Sequence, residues 1–316
     1  MSAFVLAGVF LAETRLRLPN ALHPVAWFGS LASAMIARAP RTPPALAFAA
    51  GAGLALGLPA MVVALSAWLL GRAEALPIAH AALQGAALYA SVALFGLLDA
   101  ARVMQRALEA GLLEEARGKL SWLCSRDPST LDASGLANGT IESLAENLSD
   151  SVVAPLCALL LFGVEGALAY RAINTLDAMI GYRGTYEYLG KAAARLDDLA
   201  NLVPARLTAV LLWLAALPLC AFDRGLSPAR GLVTWRRDRM ATESPNGGHP
   251  MAMASGLLGL RLDKPGAYVL GAEHAPPVAR DIGRAITLVR AAGCLAFALA
   301  VSAVASVGLG GVYAAL

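Results

Sequence analysis

Long apolar runs separated by short polar stretches dominate this chain. Ala45–Leu70 and Leu76–Leu98 each reach the roughly 20 apolar residues that a bilayer-spanning helix needs, the second despite His80 and Gln84. Gly71–Ala75 between them fits a tight helical hairpin, and Ile286–Leu309 is a third clear span with Arg290 near its start. Three segments are ambiguous. Met1–Ala12 is apolar but lacks the preceding basic residue of a cleaved signal peptide. Val152–Tyr170 contains Pro155 and Glu165, and Leu207–Phe222 is short and contains Pro218. Period-2 alternation is scarce and no internal repeat is evident. The pattern predicts an all-α, polytopic integral membrane protein, a single domain over 1–316 with polar cytoplasmic loops, in which the ambiguous segments either cross the bilayer or re-enter it.

Composition agrees. The chain is 58% hydrophobic and 15% charged, with mean hydropathy +0.62; soluble domains are about 45–50% apolar and about 25% charged. Lipid is therefore an expected partner. Net charge is only +3 and no Lys/Arg run occurs, so nucleic acid is not expected. Cys124, Cys157, Cys220 and Cys294 form no C-x-x-C pair, which argues against a disulfide framework or a zinc site. Arg15, Arg17, Arg38 and Arg41 place the first loop on the cytoplasmic side, and Arg224, Arg230, Arg236, Arg237 and Arg239 place the later loop there too. That parity holds if Val152–Tyr170 and Leu207–Phe222 both cross or both fail to cross.

Against this apolar background, polar clusters between Asn138 and Arg206 stand out, because polar groups beside membrane sequence need a partner or a task. Glu142, Glu146 and Asp150 are spaced i, i+4, i+8, one acidic stripe on a helix, with Asn147 beside it. Mutually repelling carboxylates are relieved by a divalent cation, and Mg²⁺ favours one or two carboxylates plus phosphate oxygens; a solvated helix face is the alternative. Asn174 and Asp177, followed by Arg183 after Gly181, could bind metal or phosphate, or simply cap a helix. Arg195, Asp197, Asp198 and Asn201, with Arg206 behind, read either as an internal ion-pair network or as a phosphate-binding Arg oriented by carboxylates. The loop Ser244-Pro-Asn-Gly-Gly-His-Pro-Met251 could bring backbone N–H groups to an anion, though any tight turn looks alike. His23 and His249 each precede a proline; a lone His is more often structural than a ligand. No P-loop, no G-x-G-x-x-G after a strand and no H-E-x-x-H occurs.

At these clusters the sequence resembles the CobD/CbiB membrane proteins of cobalamin biosynthesis, the adenosylcobinamide-phosphate synthases. The resemblance rests on His23-Pro-Val, Arg126-Asp127, Ile141-Glu-Ser-Leu-Ala-Glu-Asn147, Asp150-Ser-Val-Val-Ala-Pro155, Asn174-Thr-Leu-Asp-Ala-Met-Ile-Gly-Tyr182, Ala194-Arg-Leu-Asp-Asp198, Asn201, Pro204-Ala-Arg206, Ser244-Pro-Asn246 and Pro250-Met-Ala252, in the family's order. Two places depart from it. Glu13–Asn20 lacks the family's Gly-Asp-Pro-like stretch, and Asn246-Gly-Gly-His-Pro250 stands where Asn-Ala-Gly-Trp-Pro is usual.

The resemblance implies a carbon–nitrogen ligase in the inner (plasma) membrane of a bacterium, joining a propionate carboxyl of adenosylcobyric acid to aminopropanol or its phosphate, with ATP and Mg²⁺. It assigns Glu142, Glu146, Asp150 and Asp177 to Mg²⁺ and phosphate. Arg183, Arg195 and Arg206 would hold phosphate, with Asp197 or Asp198 orienting Arg195 or taking the amine's proton. His23, Asn147, Asn174, Asn201, Ser244 and Asn246 would contact substrate. Cytosolic substrates favour the arrangement in which every cluster lies on the inner face. Other cobalamin-pathway enzymes or a second copy are expected partners. A corrinoid transporter or a membrane platform for pathway enzymes is the alternative reading.

Overall fold

The computed structural model describes residues 2–120, 123, 127–182 and 184–313, without the side chains of Asn20 and 307–313. Cys124, Arg126 and Arg183, all singled out above, lie outside the described residues. Helix dominates throughout; among the described residues the only strands form one short hairpin. Among the described residues five helices are long and apolar enough to cross a membrane: Pro44–Ala73, Pro77–Glu109, Ala133–Ile180, Lys191–Leu219 and Ala279–Ser306. The three clear spans lie on three of them, and Val152–Tyr170 and most of Leu207–Phe222 lie on the other two. The prolines that made those segments ambiguous are absorbed within helix, Pro218 inside Lys191–Leu219 and Pro155 in the opening turn of Ala154–Ile180. Neither segment is therefore too short to span. The helix at the amino end, Ala3–Arg15, has 13 residues and falls below that length.

The chain divides into two compact units, and passes between them at 93/94, 153/154, 201/202 and 296/297. The first unit holds Met1–Ala93, Ala154–Asn201 and Phe297–Leu316. It contains α1 (Ala3–Arg15), α2 (Pro24–Arg38), α3 (Pro44–Ala73), α4 (Pro77–Ser91), α8 (Ala154–Ile180) and the opening turns of α9 (Lys191–Leu219). Its core is built from Ala32 and Ile36 of α2, Leu54, Ala55 and Leu58 of α3, Leu176 and Ile180 of α8, and Leu189 and Ala193. Large apolar side chains of α3 point the other way: Leu56 is 62% and Trp68 61% exposed, which suits lipid and would be a liability in water. Gly163, with φ +74°, interrupts α8, so this element is two helical pieces and not one rod.

The second unit holds Leu94–Val153 and Leu202–Ala296. Its elements are α5 (Leu94–Glu109), α6 (Leu113–Leu120), α7 (Ala133–Leu148), the rest of α9, α10 (Pro228–Asp238), α11 (Gly248–Leu258), the hairpin β1 (Leu262–Lys264) and β2 (Tyr268–Leu270), and the start of α12 (Ala279–Tyr313). Asp132 is the N-cap of α7 and accepts from Gly135 N at 2.7 Å. Every residue of α11 is buried. The hairpin is tied to α7 by the side-chain amide of Asn138, which donates to Asp263 O (2.6 Å) and accepts from Asp263 N (3.1 Å) as a neighbouring strand would. A single π-helical turn, Ser149–Val153, follows α7.

Backbone proximity in the first unit makes a test. A Cβ on Gly51 of α3 would overlap the carbonyl of Leu189, whereas one on Gly53 would meet nothing within 4 Å. Gly51→Ala should cost about 1–3 kcal/mol through forced separation of the two backbones. Gly53→Ala should be neutral or slightly stabilising. Thermal unfolding in detergent, run on both variants, reads the difference, and equal behaviour would contradict the packing described.

Candidate functional site

In the second unit the acidic stripe is not a uniform face. Glu142 is 4% exposed, whereas Glu146, one turn later on α7, is exposed. Asp150 lies in the π turn, where the extra residue breaks the i, i+4, i+8 register that the sequence suggested. Burial of Glu142 also disagrees with the solvated-face alternative, since carboxylates are almost never fully buried without a partner. Among the described residues no group of three or more His, Cys, Asp or Glu side chains could hold a metal by itself. Glu142 and Glu146 do fit the Mg²⁺ mode in which one or two carboxylates are completed by phosphate oxygens and water. Asp177 belongs to the first unit and Glu142, Glu146 and Asp150 to the second.

The loop expected to approach an anion lies against this stripe. A Cβ at Gly247 would stand 2.8 Å from Glu146 Oε1, so the loop passes close to that carboxylate. Ser244 Oγ accepts from Asn246 N at 3.2 Å, forming the local turn, and Asn246 is 5% exposed. Asn147 donates to Ser143 O and Ser143 Oγ, both at 3.0 Å, so its amide is spent at least partly on its own helix. Three residues past Asn246, in the first turn of α11, His249 is 3% exposed and neither of its ring nitrogens has a hydrogen-bond partner among the described residues. Trp235 of α10 has its ring 5.7 Å from the imidazole, and its indole Nε1 is buried without a partner as well. The Arg239 guanidinium sits 5.0 Å over that indole. Burial first, then the charges of Arg206 and Arg239, pull the His249 imidazole down to about 4, so it is neutral near pH 7.

The first unit holds a different network. Asp197 of α9 accepts from Asn201 Nδ2 at Oδ2 (3.0 Å) and from Asn174 Nδ2 of α8 at Oδ1 (3.2 Å), while Tyr170 OH donates to Asn201 Oδ1 (3.0 Å). The expected pairing of Asp197 with Arg195 is therefore replaced by amide partners, and the Arg195 side chain is exposed. Asp198 is half-buried beside them. Asp177 sits just before the end of α8, where its main-chain oxygen accepts from Gly181 N at 2.7 Å; neither it nor Asn174 caps a helix start. His23 is the N-cap of α2, its Nδ1 accepting from Val25 N at 3.3 Å, and burial and then Arg171 lower its basicity. That bond gives His23 a local structural role.

Sequence reasoning missed Tyr170, Trp235 and Arg239. Trp235 and Arg239 are spaced i, i+4, the spacing that brings two side chains together on a helix, and that signal was available. Tyr170 carried none, because a lone Tyr in an apolar run reads as core.

Two measurements follow. His249 titrates below its usual value of about 6.5, so between about 6.5 and about 4 the unfolded chain binds more protons than the fold. Its contribution to stability is full above the upper value and is lost as pH falls towards the lower one. Thermal unfolding in detergent across that interval should show a steeper drop for the native protein than for His249→Phe; parallel curves would contradict this. Separately, Asn201→Ala strips a partner from both Tyr170 OH and Asp197 Oδ2, and should cost about 1–3 kcal/mol of stability; an unchanged Tm would deny the network any weight.

Comparison with known proteins places the chain. Residues 5–298 match the family described as CobD/Cbib protein. A cobalamin biosynthesis protein CobD from Chromobacterium violaceum is 36% identical over 319 residues, 97% of this chain and 98% of that one. Its counterpart from Mycobacterium tuberculosis is 40% identical over 292 residues, 90% of each. Against the CobD protein of Dehalococcoides mccartyi the identity is 44% over 200 residues, 63% of each chain. No solved structure matches the chain. With a family match over nearly its whole length and relatives of this identity and coverage, the chain belongs to the CobD/CbiB family of cobalamin biosynthesis proteins.

Proposed function

We propose that the protein is an amide-forming synthase that joins a propionate carboxyl of adenosylcobyric acid to the amine of aminopropanol or its phosphate, driven by ATP and Mg²⁺ at a cytoplasmic membrane. The observation that carries the reading is the loop Ser244–His249, which has the carboxylate of Glu146 against Gly247 and the cations Arg206 and Arg239 around His249. Opposite charges gathered at one loop suit phosphoryl transfer, where catalysis is mostly positioning and charge stabilisation. A carboxylate is a poor acyl donor. Transfer of the γ-phosphoryl of ATP to it gives an acyl phosphate and ADP. Attack by the amine then forms the amide and expels phosphate, with one proton lost from the amine.

In this reading Glu142 and Glu146 hold the metal, which when bound neutralises phosphate charge. Arg206 and Arg239 draw the phosphoryl oxygens towards the loop. Asn147 and Asn246 are polar groups suited to the corrin's amides.

Protein purified in detergent, supplied with adenosylcobyric acid, aminopropanol phosphate, ATP and Mg²⁺, should yield product of the amide's mass, and none when ATP or Mg²⁺ is omitted. A transporter needs two compartments and would make nothing in detergent, and a platform protein would bind corrinoid without turnover. Glu146→Gln should lower kcat/KM by about 10²-fold, while Glu115→Gln, an exposed change on α6, should leave it unaltered. Full turnover by Glu146→Gln would remove the carboxylate from the reaction.

A further inference from the structure

Helix α11 treats its two ends differently. At its carboxyl end the last turn is met by cations, as the helix dipole prefers. Arg230 Nε donates to Gly256 O (2.7 Å) and its Nη2 to Leu257 O (3.1 Å), while Arg284 Nη1 donates to Leu258 O (3.2 Å). Gly259, at φ +69°, closes the turn. Cations at this end complete the helix.

The amino end has the opposite problem. It is the positive end of the dipole, its first turn holds no acidic residue, and Gly247 at the N-cap offers no side-chain acceptor. Arg206 and Arg239 are close enough to act on His249 in that turn. The nearby carboxylate is Glu146, against Gly247. Two guanidiniums and a helix N-terminus thus bear on this one turn. Two hydrogen-bonding groups also stand idle there. Neither nitrogen of His249, 3% exposed, has a partner, and neither does the buried Nε1 of Trp235, whose ring lies between His249 and Arg239. Leaving a buried donor unmade costs about 1–3 kcal/mol, and such groups in folded proteins are normally satisfied.

We infer that the first turn of α11, with His249, Trp235, Arg206 and Arg239, is a binding site for a phosphoryl group. A tetrahedral dianion supplies what every one of these groups lacks. Its oxygens accept from the imidazole N–H and the indole N–H, and its charge offsets both guanidiniums and the helix terminus. The inference rests on the proposed reaction only for its choice of phosphate sources: ATP, the phosphorylated amine or released phosphate.

Binding without turnover tests it. Calorimetry on the detergent-purified protein would use inorganic phosphate, aminopropanol phosphate, aminopropanol and a non-hydrolysable ATP analogue in turn. At least one phosphorylated probe should bind, and aminopropanol should not compete with it. The probe that binds most tightly identifies the source. His249→Phe keeps a ring but removes both nitrogens, and should weaken that probe about tenfold, the loss of one good hydrogen bond, without lowering Tm. His249→Trp restores an N–H donor and should bind better than His249→Phe. Arg239→Gln, a change at a helix end, should weaken binding at least as much and serves if His249→Phe does not fold. Phosphate affinity untouched by His249→Phe and Arg239→Gln, or no binding of any phosphorylated probe, would overturn the site. Binding as expected with no amide formed would sink the synthase reading alone; amide formed with affinities unchanged in the variants would sink this site alone.

Discussion

Burial of α11 along its full length sets the terms for the second unit. A helix with no solvent-facing side must bring only side chains that the interior can accept, and all of its terminal backbone groups must be answered from neighbouring elements. Its sequence, Gly-His-Pro-Met-Ala-Met-Ala-Ser-Gly-Leu-Leu, meets the first demand almost everywhere with small or apolar residues. The second is met at the carboxyl end by Arg230 and Arg284, themselves held through Asp223, Asp281 and the carbonyl of Gly225. His249 is the exception to the first demand: it is buried in the first turn, and neither ring nitrogen has a partner among the described residues.

The same logic separates the two polar networks. In the first unit Tyr170, Asn201, Asp197 and Asn174 satisfy one another through a chain of bonds of 3.0–3.2 Å. Closed networks of this kind rigidify and specify packing. In the second unit the His249 nitrogens and the Trp235 indole N–H are brought together without a hydrogen-bond partner among the described residues.

Much of this was legible in the sequence. The apolar runs gave the helical class and three spans, and the order of the polar motifs pointed to the family. Val152–Tyr170 and Leu207–Phe222 stayed ambiguous because proline in an apolar run reads as a break, whereas Pro155 and Pro218 are accommodated within α8 and α9. The acidic stripe misled at Asp150, since a π turn has no simple sequence signature and shifts everything after it. Pairing of Asp197 with amides rather than with Arg195 depends on α8 meeting α9, a tertiary fact that spacing along one helix cannot contain. The unspent nitrogens of His249 were equally hidden, because residue type tells nothing about whether a buried imidazole finds a partner.

The account turns on a carboxyl activated by phosphoryl transfer, and isotope tracing reaches that step most directly. Adenosylcobyric acid carrying ¹⁸O in its free carboxyl would be converted by the purified protein with ATP, Mg²⁺ and the amine, and the released nucleotide and phosphate examined by mass. One ¹⁸O appearing in inorganic phosphate, with none in the nucleotide, is the predicted result. Label in AMP, or amide formed with no label in phosphate, would contradict the mechanism proposed for these residues.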